Sequence, residues 1–561
     1  MIDLGEIKTK FSGEIKTDNA TLVKYSRDAS IFEVRPEAVV YPKNVDDVKT
    51  LVKWVAANKI HQPNLSITAR SAGTDMSGGA INNSILADFT AHFDKIISIE
   101  QTLNPHSGPL PKGEGGIAVI EPGVYYRDFE KESLEKNLLL PCYTASKSLN
   151  TLGGMVANNS AGEKSLSYGQ MKDYIEELDV VLSDGNQYTF GELDNNQLEK
   201  KLKLPGFEGE LYRQIFRLIK DNYEDIKKAK PTTSKNSAGY LLWEVWDKSR
   251  FNLAKLITGS QGTLGLITKI KIRLVRPKPK SELLVIFLKD LKNLGDVVAS
   301  VASYKPESFE SFDDHTFKLA IKFLPDMVKR MGGSLLTLGW QFLPEVWMAL
   351  TGGVPKLILI AEFTGQTEEE VYGKLLMAQK EITAKFRLKT HITNSAQEAA
   401  KYWTVRRESF NLLRQHTHGL STAPFIDDIV VHPADLPKFL PELNAILDKY
   451  PSLIYTIAGH MGDANFHIIP LMDLSRADQR LIIPKLADLV YNLVLKYHGS
   501  ITAEHNDGLI RSPYLEKMYG KQIFDLFKEV KRIFDPQNIF NPGKKVDASL
   551  EYSLAHIKKT L

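Results

Sequence analysis

The chain of 561 residues contains one cysteine, Cys142. One thiol excludes an intramolecular disulfide, and it excludes an iron–sulfur cluster or a structural zinc site held by several cysteines. This sparse use of cysteine favours a cytoplasmic protein. The first residues, MIDLGEIKTKFSGEIK, have no apolar core, so we expect no signal peptide. The chain also has no uninterrupted run of about 18 apolar residues that would predict a membrane-spanning helix.

An excess of charge of one sign is missing as well. The chain has 71 Lys and Arg against 68 Asp and Glu, which gives a formal net charge of +3 at pH 7. Such a small excess gives no reason to expect nucleic acid as a partner. Hydrophobic residues make up 43% of the chain, which is typical of a globular protein, and the length suits more than one domain.

Local patterns predict strands and helices in both halves of the chain. A helix is predicted over 44–58, with Asn44 as its N-cap, and another near 208–228. A basic, proline-containing stretch at 273–282, RLVRPKPKSE, indicates a domain boundary. Beyond it, helices are predicted near 367–385 and 434–448, between strands with the sequences LLVIFL, KLILIAEF and LIYTIAGH.

The stretch 334–350, SLLTLGWQFLPEVWMAL, is apolar and rich in aromatic residues, and it follows Lys329 and Arg330. One interpretation is a buried helix pair or a lid over a binding cavity. The other is peripheral contact with the inner face of a membrane. Pro344 would interrupt a long helix in either case.

A glycine-rich loop at 69–80, ARSAGTDMSGGA, follows a predicted strand. Gly73, Gly78 and Gly79 allow a tight path whose backbone N–H groups can point inward, and such a nest binds pyrophosphate. The loop lacks the GxGxxG spacing and no helix opens directly behind it, which disfavours a Rossmann dinucleotide site. Taken alone, a glycine-rich loop of this kind is as often a simple connection between elements as a cofactor-binding site.

Together with later motifs, this loop resembles the FAD-binding domain of the vanillyl-alcohol oxidase / p-cresol methylhydroxylase type. The motifs follow in order as IAVIEPGV (117–124), LNTLGGMVANNSAGEKSLSYG (149–169), TGSQGTLGLITKIKIRL (258–274) and KRIFDPQNIFNPGK (531–544). The resemblance implies an α+β fold with an FAD-binding domain in two subdomains, a cap domain with an antiparallel sheet, and a C-terminal segment that returns to the FAD domain. The corresponding divisions of the chain are 1–277, 278–500 and 501–561.

The same resemblance implies a set of FAD contacts along these motifs. They are Ser71, Ala72, Gly73, Thr74, Asp75, Ser77, Pro122, Gly123, Leu152, Gly153, Asn158, Ser160, Gly162, Gly262, Thr263, Ile267 and, near the isoalloxazine, Asn541. Some members attach the flavin through a histidine where this chain has Thr74, so we expect non-covalent FAD. Gln261 stands where the motif GSEGTLG usually has an acid, which puts any charge-dependent role of that side chain in doubt.

A second signature, GHMGDANFHIIP at 459–470, predicts two strands with a turn between them. A two-residue turn at Asp463–Ala464 would set His460 directly opposite His467, with Cβ atoms about 5 Å apart. A third signature, SITAEHNDGLIRSPY, adds Glu504 and His505. Two histidines and a carboxylate are typical of catalytic zinc and of non-haem iron. For any one histidine, a hydrogen-bonded core or surface residue is the alternative.

These two signatures resemble the D-2-hydroxy-acid dehydrogenase branch of the flavoproteins, which includes D-lactate, glycolate and D-2-hydroxyglutarate dehydrogenases. The resemblance implies that His460, His467 and Glu504 bind a divalent metal, with zinc the first candidate, and that His505 is the catalytic base. EHNDG replaces the common EHGxG, so the backbone after the base is in doubt.

The branch also implies residues for the substrate. The W-x-x-R pattern in YWTVRRESF points to Arg406, which can bind a carboxylate bidentately, although a solvated helix face is the alternative for this arginine pair. The motif KNSAGY implies that Lys235, Asn236 and Tyr240 line the pocket. Dicarboxylate-specific relatives have a lysine where this chain has Ile426, which favours a monocarboxylate, with D-lactate first.

The chemistry agrees with these residue types. A metal at the substrate hydroxyl would lower its pKa, His505 would take the proton, and hydride would pass from C2 to flavin N5. The electrons then need an external acceptor, such as a quinone, a cytochrome or an electron-transfer flavoprotein. The alternatives are an oxygen-using flavin oxidase of an alcohol or sugar lactone, a non-redox enzyme of the alkyl-ether-lipid synthase type, and a non-enzymatic membrane-binding or scaffold protein.

Overall fold

The computed structural model describes residues 2–102, 115–314, 355–416, 419–451 and 453–559. The apolar stretch 334–350 lies outside these ranges, so the two interpretations of it stay predictions. Within them, none of the helices has the length and apolar character needed to cross a membrane.

The first sheet has four strands and lies in the N-terminal part of the chain. In chain order they are β1 (Glu14–Lys16), β2 (Ala38–Tyr41), β3 (Ile67–Arg70) and β4 (Ile85–Asp88), and their order in the sheet is β1-β2-β4-β3. Strands β2 and β3 run parallel to β4, whereas β1 is antiparallel to β2.

The predicted helix of this sheet is confirmed. It spans Val45–Asn58, and the Asn44 side chain caps it by accepting a hydrogen bond from the Asp47 backbone N–H. Its buried face, with Val48, Leu51, Val52 and Val55, packs in one core with the apolar side chains of β2, β3 and β4.

The second sheet is antiparallel throughout and follows in the chain. It has the order β5-β6-β10-β7-β8-β9, with β5 (Ile96–Thr102), β6 (Gly115–Ile120), β7 (Ile175–Val181), β8 (Gln187–Asp194), β9 (Arg250–Asn252) and β10 (Leu266–Val275). Along β10, buried and partly buried residues alternate, as in a strand with one face on the core.

Short helices cover the first two sheets. In chain order they are Gly5–Lys10, Asn19–Tyr25, Val45–Asn58, Tyr126–Glu135, Leu152–Asn158, Ser165–Tyr168, Asn195–Leu202, Gly206–Asp221, Tyr223–Lys228 and Ala254–Ile257. The helical stretch predicted near 208–228 is therefore two helices. They are separated at Asn222, whose backbone angles (φ −115°, ψ 23°) are not helical.

The third sheet forms the predicted antiparallel sheet of the cap. Its eight strands are β11 (Lys280–Leu288), β12 (Ser308–Asp313), β13 (Leu357–Gly365), β14 (Lys389–Ile392), β15 (Ser421–Thr422), β16 (Ile429–Val430), β17 (Ile454–His460) and β18 (Asn465–Met472). The order is β14-β11-β13-β12-β17-β18-β15, with β16 also on β18, and every pair is antiparallel.

Helices cover both faces of this sheet, which is why β13 is buried along its whole length. The helices are Leu294–Ser303, Glu368–Phe386, Ala396–His416, Leu436–Leu447 and Ala477–Lys496. On one face, Phe312 of β12 packs against Tyr402 and Val405 of the helix Ala396–His416. This packing brings the middle of that helix over the centre of the sheet.

The C-terminal segment packs against the first half of the molecule. Its helices are Gly508–Arg511, Leu515–Phe534 and Leu550–Ala555. The second of these buries Phe527 and Phe534 in the core of the six-stranded sheet, and Phe540 forms a bridge with Ile67 of β3. The division of the chain at 277/278 and at 500/501 stays a prediction.

Candidate active site

A cavity of about 780 Å³ joins the glycine-rich loops to the cap. The predicted cofactor residues on its wall are Ser71, Gly73, Thr74, Asp75, Pro122, Gly153, Asn158, Ser160, Gly262 and Ile267. The predicted chemical residues on the same wall are Arg406, His460, His467, Glu504 and His505. An elongated cofactor held by the loops would therefore share one space with the residues predicted to act on the substrate.

Two glycines on this wall fit a closely bound cofactor. Gly73 and Gly262 have φ values of +70° and +68°, a region that strongly favours glycine. A Cβ added to Gly262 would meet nothing nearer than the Ala69 Cβ, at 3.6 Å, so the space beside its Cα is open. Such a cradle, in which a ligand can approach bare backbone, fits FAD.

The other predicted cofactor residues lie behind the wall and support the loops. They are Ala72, Ser77, Gly123, Leu152, Gly162, Thr263 and Asn541, none of which is among the described residues that line the cavity. Asn541 Nδ2 donates to the backbone oxygens of Gly79 (2.8 Å) and Gln261 (2.7 Å). A Cβ on Gly123 would lie 2.1 Å from the Phe89 carbonyl oxygen, so only glycine fits there.

Gln261, which replaces the acid of the usual motif, joins the cofactor loop to the segment after His505. Its Nε2 donates to Ser77 Oγ at 3.1 Å, and its Oε1 accepts from the Gly508 backbone N–H at 2.8 Å. An ionised carboxylate could not donate the first of these bonds. The amide therefore has a structural role of its own at this position.

Asn506 resolves the doubt about the backbone after His505. Its φ is +64°, a left-handed conformation that glycine adopts freely and asparagine tolerates better than most residues. Its Nδ2 donates to the carbonyl oxygens of Gly259 (2.9 Å) and Asn158 (3.2 Å). The side chain thus anchors the base segment to the cofactor half of the molecule.

The predicted register of the histidine hairpin is wrong. His460 faces Asn465, and His467 faces Ala458. The loop has four residues rather than two, because a 3-10 turn at Met461–Asp463 is followed by Ala464 with φ +51°. His467 nevertheless lies two residues beyond Asn465 on the same face, and the ring centroids of the two histidines are 5.2 Å apart.

Each of the three histidines donates its Nδ1–H to a buried carboxylate. His460 bonds to Glu310 at 2.7 Å, and His467 and His505 bond to the two oxygens of Asp427 at 3.0 and 2.6 Å. This arrangement fixes the rings, and it directs the Nε2 of His460 toward Glu504 Oε1, which lies 3.1 Å away. Such carboxylate–histidine pairs are typical of the surroundings of metal ligands.

The donor atoms of His460, His467 and Glu504 lie within 4.8 Å of one another. Two imidazole nitrogens and one carboxylate oxygen suit a divalent transition metal, and three protein ligands leave further positions open. The residues present therefore fit a metal at this point. The open positions also leave room for the substrate, rather than a fourth protein group, to bind the metal.

The charges of this cluster are strongly coupled. Burial raises the pKa of the Glu504 carboxyl, but His460 and Lys235 hold it well below its usual range. Burial lowers the pKa of His505, yet Asp427 and Asp428 raise it to about 9. The hydrogen-bonded carboxylate therefore increases the basicity of His505, whose ring accepts a proton only in its neutral form.

The two predicted arginines differ in burial. The Arg406 side chain is 13% exposed, and its Nε and Nη2 both lie 3.1 Å from Glu310 Oε2. The Arg407 side chain is 41% exposed and is held by Glu163, with a distance of 3.1 Å from Nε to Oε2. Both line the cavity, but only Arg406 is tied to the histidine cluster.

The prediction that KNSAGY lines the pocket is wrong, because this segment runs behind Glu504. Lys235 Nζ lies 2.5 Å from Glu504 Oε1 and 3.2 Å from Asp463 Oδ2. Asn236 bonds to the Tyr519 hydroxyl, and Tyr240 bonds to Thr263 Oγ1 at 2.7 Å. None of the three is among the described residues that line the cavity.

Ile426 is also away from the cavity wall. Its side chain is fully buried in the core of the cap, so it has no contact with a ligand in the cavity. The argument for a monocarboxylate from this position is therefore indirect.

The sequence reasoning missed three buried acids, Glu310, Asp427 and Asp428. Asp428 Oδ2 accepts from the backbone N–H groups of Glu504 (2.8 Å) and His505 (2.7 Å), and so holds the base segment in place. A signal was available, because Glu310 and both aspartates interrupt apolar stretches, SFESF and PFIDDIVV. A charge that is buried in a core requires a partner.

Models of two protein families match the chain. Residues 36–191 match an FAD binding domain, and residues 278–545 match the C-terminal domain of FAD linked oxidases. The first match includes the glycine-rich loop and its neighbours. The second includes the cap and the histidine cluster.

Curated relatives are similar over nearly the whole chain. A D-2-hydroxyglutarate dehydrogenase of Pseudomonas putida is 28% identical over 95% of this chain and 50% of its own length. A glycolate oxidase subunit GlcD of Bacillus subtilis is 25% identical (97% and 96% covered), and a D-lactate dehydrogenase of Anaerostipes hadrus is 25% identical (91% and 90% covered). The chain spans about half the length of the relatives that it matches first.

Solved structures share the fold. A p-cresol methylhydroxylase with substrate bound is 17% identical, with a TM-score of 0.63, over 95% of this chain and 93% of that one. An alkyldihydroxyacetonephosphate synthase is 15% identical, with a TM-score of 0.64, over 97% and 86%. At these identities the likeness concerns the fold alone, and it confirms the predicted p-cresol methylhydroxylase type.

Proposed function

We propose that this chain, which matches an FAD binding domain and the C-terminal domain of FAD linked oxidases, is an FAD-dependent dehydrogenase of a D-2-hydroxy acid, with D-lactate as the first candidate. The observation that carries the proposal is the cavity in which His460, His467, Glu504 and His505 stand on the same wall as the glycine cradle. The names of the three relatives, which concern 2-hydroxyglutarate, glycolate and lactate, support the same class of substrate.

Each group has a part in the proposed reaction. Arg406 binds the substrate carboxylate with the N–H donors that Glu310 leaves free. His505, oriented by Asp427, takes the proton of the substrate hydroxyl. Bound FAD would accept the hydride from C2, and a divalent metal, zinc first, held by His460, His467 and Glu504 would lower the pKa of the hydroxyl.

D-2-hydroxyglutarate is the second candidate substrate, because that name is carried by the Pseudomonas putida relative. D-lactate is preferred because its methyl group suits an apolar part of the cavity wall. Ala458 and Ile469, two apolar residues, line the cavity near the histidines. A second carboxylate would gain little there.

The electrons leave to an external acceptor, for which a quinone, a cytochrome or an electron-transfer flavoprotein is proposed. Cys142 is the one cysteine of the chain, so the chain itself cannot hold a cysteine-ligated cluster that would receive them. A cytoplasmic location, with peripheral membrane contact through 334–350, is proposed on the sequence alone.

The test is an anaerobic titration of the FAD-loaded protein with D-lactate, L-lactate and D-2-hydroxyglutarate, followed by the loss of visible flavin absorbance. Bleaching by D-lactate and not by L-lactate is expected. Bleaching by D-2-hydroxyglutarate alone would replace D-lactate by the second candidate. If none of the three bleaches the flavin, the proposal fails, and turnover of an alcohol with oxygen or non-redox chemistry takes its place.

A further inference from the structure

Glu310 lies at the centre of the cap sheet and next to the histidine cluster. It belongs to β12, whose register against β17 pairs Ser311 with Gly459, so Glu310 stands beside His460 on the neighbouring strand. Its side chain is 1% exposed. A carboxylate buried this deeply is stable only when cations or hydrogen-bond donors surround it.

The two oxygens of Glu310 go to two different functional groups. Oε1 accepts from His460 Nδ1 at 2.7 Å, and Oε2 accepts from Arg406 Nε at 3.1 Å. His460 is the proposed metal ligand, and Arg406 is the proposed receiver of the substrate carboxylate. One buried carboxylate therefore connects the two ends of the substrate site.

We propose that Glu310 is a positioning residue that sets the metal-ligating histidine and the carboxylate-binding arginine together, and so couples metal affinity to substrate binding. This inference rests on the proposed function. Glu310 bonds to the ring nitrogen of His460 that faces away from the metal position, which fixes the ring and raises its basicity as a ligand. Because Arg406 bonds to the same carboxylate, a change at Arg406 alters the interaction of Glu310 with His460, and a change at His460 alters its interaction with Arg406.

Replacing Glu310 by glutamine separates charge from shape. An amide has nearly the same volume, but it presents one acceptor and one NH2 group to two partners that both donate. One of the two bonds must fail, and a buried donor is left unsatisfied. Aspartate keeps the charge and both acceptors but is shorter by one methylene.

The experiment measures the Zn²⁺ affinity of the metal-stripped, FAD-loaded protein by competition with a chromophoric chelator, together with KM and kcat for D-lactate. We expect Glu310→Gln to weaken Zn²⁺ binding about 10- to 100-fold and to raise KM about tenfold. Glu310→Asp should lie between Glu310→Gln and wild type. If Glu310 serves only as packing, the order reverses, because glutamine keeps the shape better than aspartate does.

Glu362→Gln is the matched control. Glu362 is a buried glutamate of the adjacent strand β13, and it accepts hydrogen bonds from Ser281 and Ser308 outside the histidine cluster. We expect this variant to keep the wild-type Zn²⁺ affinity. Thermal unfolding of both variants separates a local effect from loss of the fold.

A double-mutant cycle tests the coupling itself. Arg406→Met in the wild-type background should tighten Zn²⁺ binding, because Glu310 then serves His460 alone, and it should have little effect in the Glu310→Gln background. An equal effect in both backgrounds, or an unchanged Zn²⁺ affinity in Glu310→Gln, would overturn the inference. A wild-type protein that binds no Zn²⁺ would overturn it too, whereas failure of D-lactate to bleach the flavin concerns the proposed function alone.

Discussion

The two sides of the cavity are built from different materials. On the cofactor side, Gly73, Gly262 and Asn158 share the wall with a few charged residues, among them Arg70 and Asp75. On the cap side, a compact cluster of ionisable side chains predominates, and its histidines bond to buried carboxylates. We infer from this difference that the cofactor side selects its ligand by shape, through exposed backbone, whereas the cap side selects its ligand by charge and by the position of protons.

On the cap side, the buried charges are compensated by one another within the cluster. Glu310 and Asp427 each serve two partners, and Lys235 stands between Glu504 and Asp463. Removing one member of such a set leaves an uncompensated buried charge, which costs more than the lost contact. A substitution that keeps the size of a side chain but changes its charge should therefore be tolerated on the cofactor side but not on the cap side. An added Cβ should be tolerated on the cap side but not on the cofactor side.

The largest effect is expected from His505→Asn, on the cap side. A general base contributes about 10²- to 10⁴-fold to a rate, so kcat for D-lactate should fall by about three orders of magnitude. FAD content should not change, because the cofactor cradle is untouched. His432→Asn is the control, since His432 bonds to Thr232 and is not among the described residues of the cavity wall. Equal losses in the two variants would contradict the role of His505.

The next effect is expected from Asp427→Asn. The amide can serve as acceptor for one of the two histidines but must present its NH2 to the other, so a ring turns or changes tautomer. We expect kcat to fall about 10- to 100-fold, as for carboxylates that orient metal-binding histidines. Stopped-flow measurement of flavin reduction isolates this step. A rate within twofold of wild type would mean that the rings are oriented by other contacts.

On the cofactor side, Gly262→Ala should weaken FAD binding by about tenfold, or about 1.4 kcal/mol, because the new methyl enters the space beside the backbone. Gly206→Ala is matched to it, since Gly206 also has positive φ (+75°) and a Cβ there would meet nothing within 4 Å. Both variants have the same backbone strain, but only the first borders the cavity. Fluorescence titration of the apoproteins with FAD measures the difference. Equal loss in both would assign it to strain alone.

The smallest effect is expected from Tyr240→Phe, which tests the corrected position of KNSAGY. The change removes a hydrogen bond to Thr263 and should lower the free energy of unfolding by about 1 kcal/mol. KM for D-lactate should stay within twofold, because Tyr240 is behind the wall. Denaturant unfolding and steady-state kinetics report the two quantities separately. A large rise in KM would restore Tyr240 to the substrate pocket.

The helices and strands that form because of residues close to one another in the chain could be predicted from the sequence. The helix Val45–Asn58 and strands β11, β13, β17 and β18 follow from local periodicity and capping. The hairpin register could not be predicted, because nothing in MGDA requires Ala464 to take positive φ. The ordinary turn chemistry of Gly and Asp suggested a shorter loop.

Long-range partners explain the other failures. Glu310 meets Arg406 and His460 across 96 and 150 positions of the chain, and no local pattern joins them. Lys235 was placed near the substrate by motif resemblance, but only the packing of the C-terminal segment shows that Glu504 lies between. The family resemblance identified residues near the active site, and only the fold shows which of them face the cavity.

The Gln261 side chain has a consequence for how the protein folds. It joins the loop at Ser77 to Gly508, and it bonds across 184 positions in one direction and 247 in the other. Contacts of such separation form late, after the chain has paid the entropy of closing long loops. Competence to bind the cofactor and competence to hold the base should therefore appear in the same kinetic phase of refolding, so that a nascent chain acquires both together.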